Sequence, residues 1–188
     1  ASLTVDTASA QMQTLVSGDV RHGGYGGPLV QATWLDGEPA VMVGGSGAWL
    51  INGTFAIGGA GIGLATVHRV DGFEGSPRPT LEGGYGGVTL EYINRPASLM
   101  HLSAGALIGA GGMAVMEGPR ASEDRESLDE TAFFVTRPHV AATLNVTDFF
   151  QISAMAAYRL VVGSTLDAYD DAALSGAELG IGLRFGSF

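Results

Sequence analysis

His101-Leu102-Ser103 sets an imidazole and a hydroxyl two residues apart, on one side of an extended chain. A base beside a hydroxyl is the minimum for acyl transfer. A working set also needs a third group to orient the base. No carboxylate follows at a matching position, and Glu117 is the nearest downstream. The plainer reading is a polar pair inside a fold. His101 and His139 could meet across neighbouring strands, but a zinc-type site needs further ligands and none is evident. Asn52-Gly53-Thr54 and Asn145-Val146-Thr147 match the glycosylation acceptor pattern. Both fall at expected tight turns. The acidic runs Glu123 to Glu130 and Asp167 to Asp171 lack the ligand spacing of a calcium loop. No metal, cofactor or catalytic set is expected.

The remaining polar chemistry sorts by phase. The C-terminal stretch alternates strictly: Ala177, Leu179, Ile181, Leu183 and Phe185 form one row, and Glu178, Gly180, Gly182 and Arg184 the other. That is a β-strand with two unlike faces. The same two-residue period recurs upstream. Glu91, His101, Ser103, Arg137, His139 and Arg159 all lie in polar rows, opposite aliphatic and aromatic rows.

These rows imply eight strands: about 25–35, 40–51, 54–67, 81–93, 98–116, 132–146, 149–162 and 173–188. Asp36-Gly37 and Asn52-Gly53 are strong hairpin turns. Short turns follow the second, fourth and sixth strands, and longer charged loops follow the third, fifth and seventh. Tight turns at one end and long loops at the other describe an up-and-down barrel of the outer-membrane type. Both termini then lie at the tight-turn end. Gly23-Gly24-Tyr25-Gly26-Gly27 recurs as Gly83-Gly84-Tyr85-Gly86-Gly87. A phosphate cradle would need a helix to follow, and both copies lead into β-type alternation. The echo suggests strand starts at similar heights.

Composition agrees. The chain has 188 residues, 30 of them Gly and none Cys, with a net charge of −10 and 46% hydrophobic residues. Its mean hydropathy is +0.25. No run reaches the roughly 18 apolar residues of a membrane helix, so the apolarity is spread over many short segments. The acidity argues against nucleic acid as a partner. Absence of cysteine excludes disulfides and thiolate metal sites. The small residues at the start, Ala1-Ser2, fit what cleavage of an export signal would leave, so an exported chain is the expectation.

Polar rows sharing a lumen with apolar rows outside are the inverse of a soluble barrel. In this the chain resembles, over residues 23–188, the eight-stranded outer-membrane barrels, the class of the outer-membrane protein A membrane domain and the small X- and W-type proteins. In that family the terminal Phe shares the apolar phase. Here Phe188 shares the phase of Arg184, Phe185 holds the apolar row, and a bend at Gly186 would restore the match. The lipid A deacylases are eight-stranded outer-membrane barrels with a His-x-Ser pair, a nearby Asn and an acid; here Ala104 stands where the Asn is expected.

The reading is an all-β, eight-stranded antiparallel up-and-down β-barrel with a polar lumen and an apolar exterior (23–188), preceded by an N-terminal arm (1–22). An eight-stranded lumen is just wide enough for side chains to fill, and buried charges must be paired. Glu91, Arg137, Arg159, Glu178 and Arg184 are therefore expected to form an ion-pair cluster without an open pore. The expected role is structural or interactive and non-catalytic, with outer-membrane lipid or other copies of the chain as neighbours. Two alternatives are a cell-surface or extracellular filament joined through the arm, with Leu3 and Val5 adding to a neighbour, and a deacylase using His101 and Ser103.

Overall fold

The computed structural model describes residues 19–69, 79–117, 126–166 and 169–188. The expected arm, with Leu3 and Val5, lies largely outside them, as do parts of the charged loops.

The strands are β1 (His22–Leu35), β2 (Glu38–Ile51), β3 (Phe55–Leu64), β4 (His68–Arg69), β5 (Thr80–Asn94), β6 (Met100–Glu117), β7 (Glu126–Thr147), β8 (Phe150–Val162) and β9 (Gly176–Ser187), with one helical turn, α1 (Asp171–Leu174), before β9. Each long strand pairs antiparallel with its neighbours, in the order β3-β2-β1-β9-β8-β7-β6-β5, and β3 pairs with β5 to close the ring. The two-residue β4 adds to β5 at the loop end. Closure leaves no long strand with an open edge, so backbone donors and acceptors are satisfied within the wall.

Local chemistry explains the hairpins. Asp36 and Gly37 have φ of 48° and 80°, and Asn52 and Gly53 have 53° and 66°. Two successive left-handed residues make the turn whose twist matches paired strands. Asn145 secures the turn between β5 and β6 by donating to the carbonyls of Pro96 (2.9 Å) and Ser98 (2.8 Å).

β1 begins at His22 rather than near residue 25 and β3 ends at Leu64 rather than near residue 67, and two further boundaries that differ from the sequence expectation have a local cause. β7 begins at Glu126 rather than near residue 132, because Glu126–Glu130 pairs with Ala114–Glu117 across a bulge. The hairpin thus continues through charged residues that read as loop. The last strand begins at Gly176 rather than Ala173. Asp170 accepts a hydrogen bond from the Ala173 amide at 2.7 Å and caps α1. Ser175 Oγ donates to the Asp171 carbonyl at 2.6 Å, and Leu174 is buried. Ala173 and Ser175 fit a strand pattern only because small residues suit either state.

The phases hold throughout. Rows containing Leu29, Gln31, Thr33 and Leu35 on β1, or Arg137 on β7, are buried in the lumen, while Val30, Trp34, Val88, Leu102, Phe134 and Ile181 are exposed outside. The lumen is layered rather than uniformly polar. Its loop half is an apolar cluster that includes Leu35, Met42, Leu81, Leu107, Val115 and Leu174. Leu50, Ala56 and Ile93 form a smaller cluster towards the tight turns. Charged and hydroxyl side chains occupy the space between.

Candidate functional site

The candidate site is that polar middle of the lumen. The five charged residues expected to cluster form two groups. In the first, Glu178 on β9 accepts from Arg137 Nε on β7 and from Arg159 Nη1 on β8, the latter at 2.7 Å. Tyr85 on β5 closes it from the far wall, its hydroxyl 2.9 Å from both Glu178 carboxylate oxygens. Gln31 Nε2 donates to the same hydroxyl at 2.9 Å, and its Oε1 accepts from Arg137 Nη2 at 3.0 Å. Glu178 is 1% exposed and Arg159 1% exposed. Ionised groups so deep persist only with such pairing.

In the second group, Arg184 on β9 reaches Glu91 on β5 at 3.2 Å. His139 Nε2 lies 3.7 Å from the same carboxylate. The Arg184 guanidinium sits 4.5 Å from the centre of the Tyr25 ring, within cation–π range. β7 links the two groups, since consecutive inward positions send Arg137 to Glu178 and His139 to Glu91.

The glycine echo supplies both tyrosines. Tyr25 and Tyr85 each face a lumen carboxylate, Glu91 and Glu178 respectively. They do not share a height: Tyr25 pairs near the Asn52 turn, whereas Tyr85 pairs with Ile62 near the opposite end of β3. β1 and β5 run in opposite directions, so the same pentapeptide starts strands at opposite ends. The row phase of each tyrosine places it in the lumen, a signal that formal charge does not carry.

Arg159 also binds the loop end. Its Nε donates to the Leu174 carbonyl at 2.7 Å. Asp171 accepts from the Gly163 and Ser164 amides at 3.0 and 2.7 Å. The β8–β9 connection is thereby folded over the lumen, with Leu166, Tyr169 and Leu174 in the apolar cluster.

The chemistry expected of the histidines takes a different form. Register sets His101 opposite Thr143 and His139 opposite Gly105. Four residues along a strand are about 13 Å, so the two imidazoles do not meet as neighbouring-strand partners. Among the described residues no group of three or more His, Asp or Glu is placed to hold a metal. His101 and Ser103 both face the lumen, 4% and 6% exposed. His101 Nδ1, Ser103 Oγ, His139 Nδ1 and Arg159 Nη2 have no hydrogen-bond partner among the described residues. No hydrogen bond therefore links His101 to the Ser103 hydroxyl.

At the C-terminus Phe185 stacks on Phe150 outside, with ring centres 4.9 Å apart. Phe188 keeps the other phase and stacks on Tyr25 at 6.3 Å.

No protein-family model matches the sequence, and neither does any curated protein. Solved structures do. The chain is similar to Neisserial surface protein A, with TM-score 0.57 and 14% identity, over 91% of this chain and 100% of that one. It is also similar to Ail, the attachment invasion locus protein of Yersinia pestis, in complex with the heparin analogue sucrose octasulfate, with TM-score 0.51 and 16% identity, over 88% of this chain and 97% of the other. The chain has the fold of the small eight-stranded outer-membrane β-barrels.

Proposed function

We propose that the chain is a non-catalytic outer-membrane barrel with a structural or interaction role and a lumen closed to ions. The observation that carries this reading is the inversion of the two faces. Glu91, Arg137, Arg159, Glu178 and Arg184 point inward and are paired, while Val88, Leu102, Ile108, Phe134 and Ile181 point outward, each more than half exposed. A water-soluble barrel with that exterior would present a continuous apolar band far larger than the few hundred Å² soluble proteins tolerate. A bilayer removes the difficulty.

Closure of the lumen is supported by the layers themselves. A pore would have to pass the apolar cluster under α1 and then two ion-pair groups. What remains exposed to water is the two ends, so an interaction role belongs to the longer loops.

Flotation with phospholipid vesicles and planar-bilayer conductance test both halves. The expected result is protein that floats with vesicles, resists alkaline extraction and passes no resolvable current. Protein that stays in solution, or forms regular filaments visible by electron microscopy without detergent, would replace the membrane reading with the assembly one. Steady single-channel current would remove the closed lumen alone.

A further inference from the structure

The lumen charges do not balance. Among the described residues it buries three guanidiniums, Arg137, Arg159 and Arg184, against two carboxylates, Glu91 and Glu178. His101 and His139 carry either no charge or a positive one. Tyr25 and Tyr85 each point a hydroxyl at a carboxylate and count as neutral. The excess is local. Arg184 and Glu91 match one to one. Glu178 faces both Arg137 and Arg159, so that group carries a surplus positive charge.

Hydrogen bonding marks the same place. Arg159 Nε donates to the Leu174 carbonyl, and Nη1 donates to Glu178 at 2.7 Å and to Met42 Sδ at 3.3 Å. Nη2 has no partner among the described residues, although Arg159 is 1% exposed. A buried donor left so calls for an explanation. A guanidinium stays charged at any ordinary pH, so losing a proton cannot relieve its burial. The remaining unpartnered atoms are of another kind. His139 lies beside Glu91, and Ser103 pairs with Ile93, two residues along β5 from Glu91. The Glu91 charge is already matched, so water suffices there. Water does not neutralise the Arg137–Arg159 group. Nor do the carboxylates next to α1. Asp170 is exposed and caps the helical turn, and Asp171 accepts from the Gly163 and Ser164 amides.

We propose that the lumen encloses one monovalent anion of halide size, held by Arg159 Nη2 on the lumen side of the β8–β9 connection. The surplus charge and the unpartnered donor fall on one residue group, and a single anion answers both. The surroundings select its class. Met42 and Leu174, which both meet Arg159, are apolar and buried. An anion there gives up most of its water, which chloride or bromide does more readily than sulfate, phosphate or a carboxylate. An eight-stranded lumen is also too full for a bulky ion. The proposal rests on the closed lumen of the proposed function: the barrel passes no ions but traps one as it folds. Because Arg159 also holds the Leu174 carbonyl, the anion sits where the cover joins the ion-pair layer.

Bromide is the probe. The full chain would be refolded in detergent micelles with sodium bromide and crystallised, and the bromide located by its anomalous scattering. The expected result is one bromide within hydrogen-bond reach of Arg159 Nη2. In solution, urea unfolding is followed at fixed ionic strength while bromide or chloride replaces gluconate, which is too large for the lumen. The midpoint should rise with halide concentration, as it does for a ligand that binds only the folded state. Arg159→Gln should abolish that rise. Arg137→Met keeps Arg159 but removes the surplus charge, and should also flatten it. If Arg159→Gln does not fold, Arg137→Met and the native crystal still decide. A water in place of bromide at Nη2, equal midpoints in halide and gluconate, or an undiminished halide response in Arg137→Met would each overturn the proposal. Steady current through the barrel would instead remove the closed lumen, and the bromide position is read independently of it.

Discussion

Gly105 and His139 stand directly opposite each other on β6 and β7. A Cβ on Gly105 would come within 2.9 Å of His139 Cε1 and within 2.3 Å of the Leu90 carbonyl oxygen. The imidazole crosses β6 through the space a side chain would occupy, and so reaches Glu91. The same arrangement recurs where Gly111 faces Phe133, whose ring carbons would lie 2.6 and 2.7 Å from a Cβ. In both cases the glycine makes room for a large ring inside a narrow lumen.

Gly105→Ala is therefore expected to destabilise the barrel by about 1–3 kcal/mol, the usual range for overpacking. Removing the imidazole with His139→Ala should relieve part of that cost, leaving the clash with the Leu90 carbonyl. Denaturant unfolding of the two single variants and the double variant in detergent micelles measures the coupling. Strict additivity would show that the ring and the glycine are independent.

Glu178 holds two guanidiniums, so its replacement and theirs are not equivalent. Glu178→Gln leaves Arg137 and Arg159 buried against a neutral amide. A loss of about 3–5 kcal/mol is expected, as for other buried pairs stripped of one partner. Arg137→Met leaves Arg159 and Glu178 matched one to one and should cost less. Unfolding midpoints of the two variants, measured side by side, check the order.

The two lumen tyrosines should differ. Tyr85 exchanges hydrogen bonds with Gln31 and Glu178 at 2.9 Å, whereas the Tyr25 hydroxyl is 3.5 Å from Glu91. Tyr85→Phe leaves buried charged and amide partners short of a bond and is expected to cost about 1–3 kcal/mol. Tyr25→Phe should cost well under 1 kcal/mol, because a contact at that distance is weak. Thermal unfolding of both variants distinguishes them; equal losses would mean that the hydroxyl distances do not govern stability.

Leu174→Ala tests the cover over the lumen. Leu174 is 1% exposed, and truncation of a buried leucine costs about 2–5 kcal/mol. If the loss is confined to the β8–β9 connection, protease should cut that segment faster while the strands stay protected. Unchanged cleavage would show that Arg159 and Asp171 hold the segment without the leucine.

Much of the architecture was legible in the sequence because a β-strand has a period of two and a closed barrel gives each row one of two environments. The rows holding Glu91, Arg137, Arg159, Glu178 and Arg184 could be assigned to the lumen from phase alone, and the turns at Asp36-Gly37 and Asn52-Gly53 are dictated by residues that accept left-handed backbone. Phase does not carry height. Register alone separates His101 from His139, puts the two Gly-Gly-Tyr-Gly-Gly copies at opposite ends and divides five charged residues into two groups. Nor does phase distinguish a polar lumen layer from an apolar one: Leu35, Leu107 and Val115 share rows with Thr33, Ser103 and His101. The tertiary structure decided those points, because which inward side chains meet depends on strand stagger around the ring, a relation among all eight long strands that no single segment encodes.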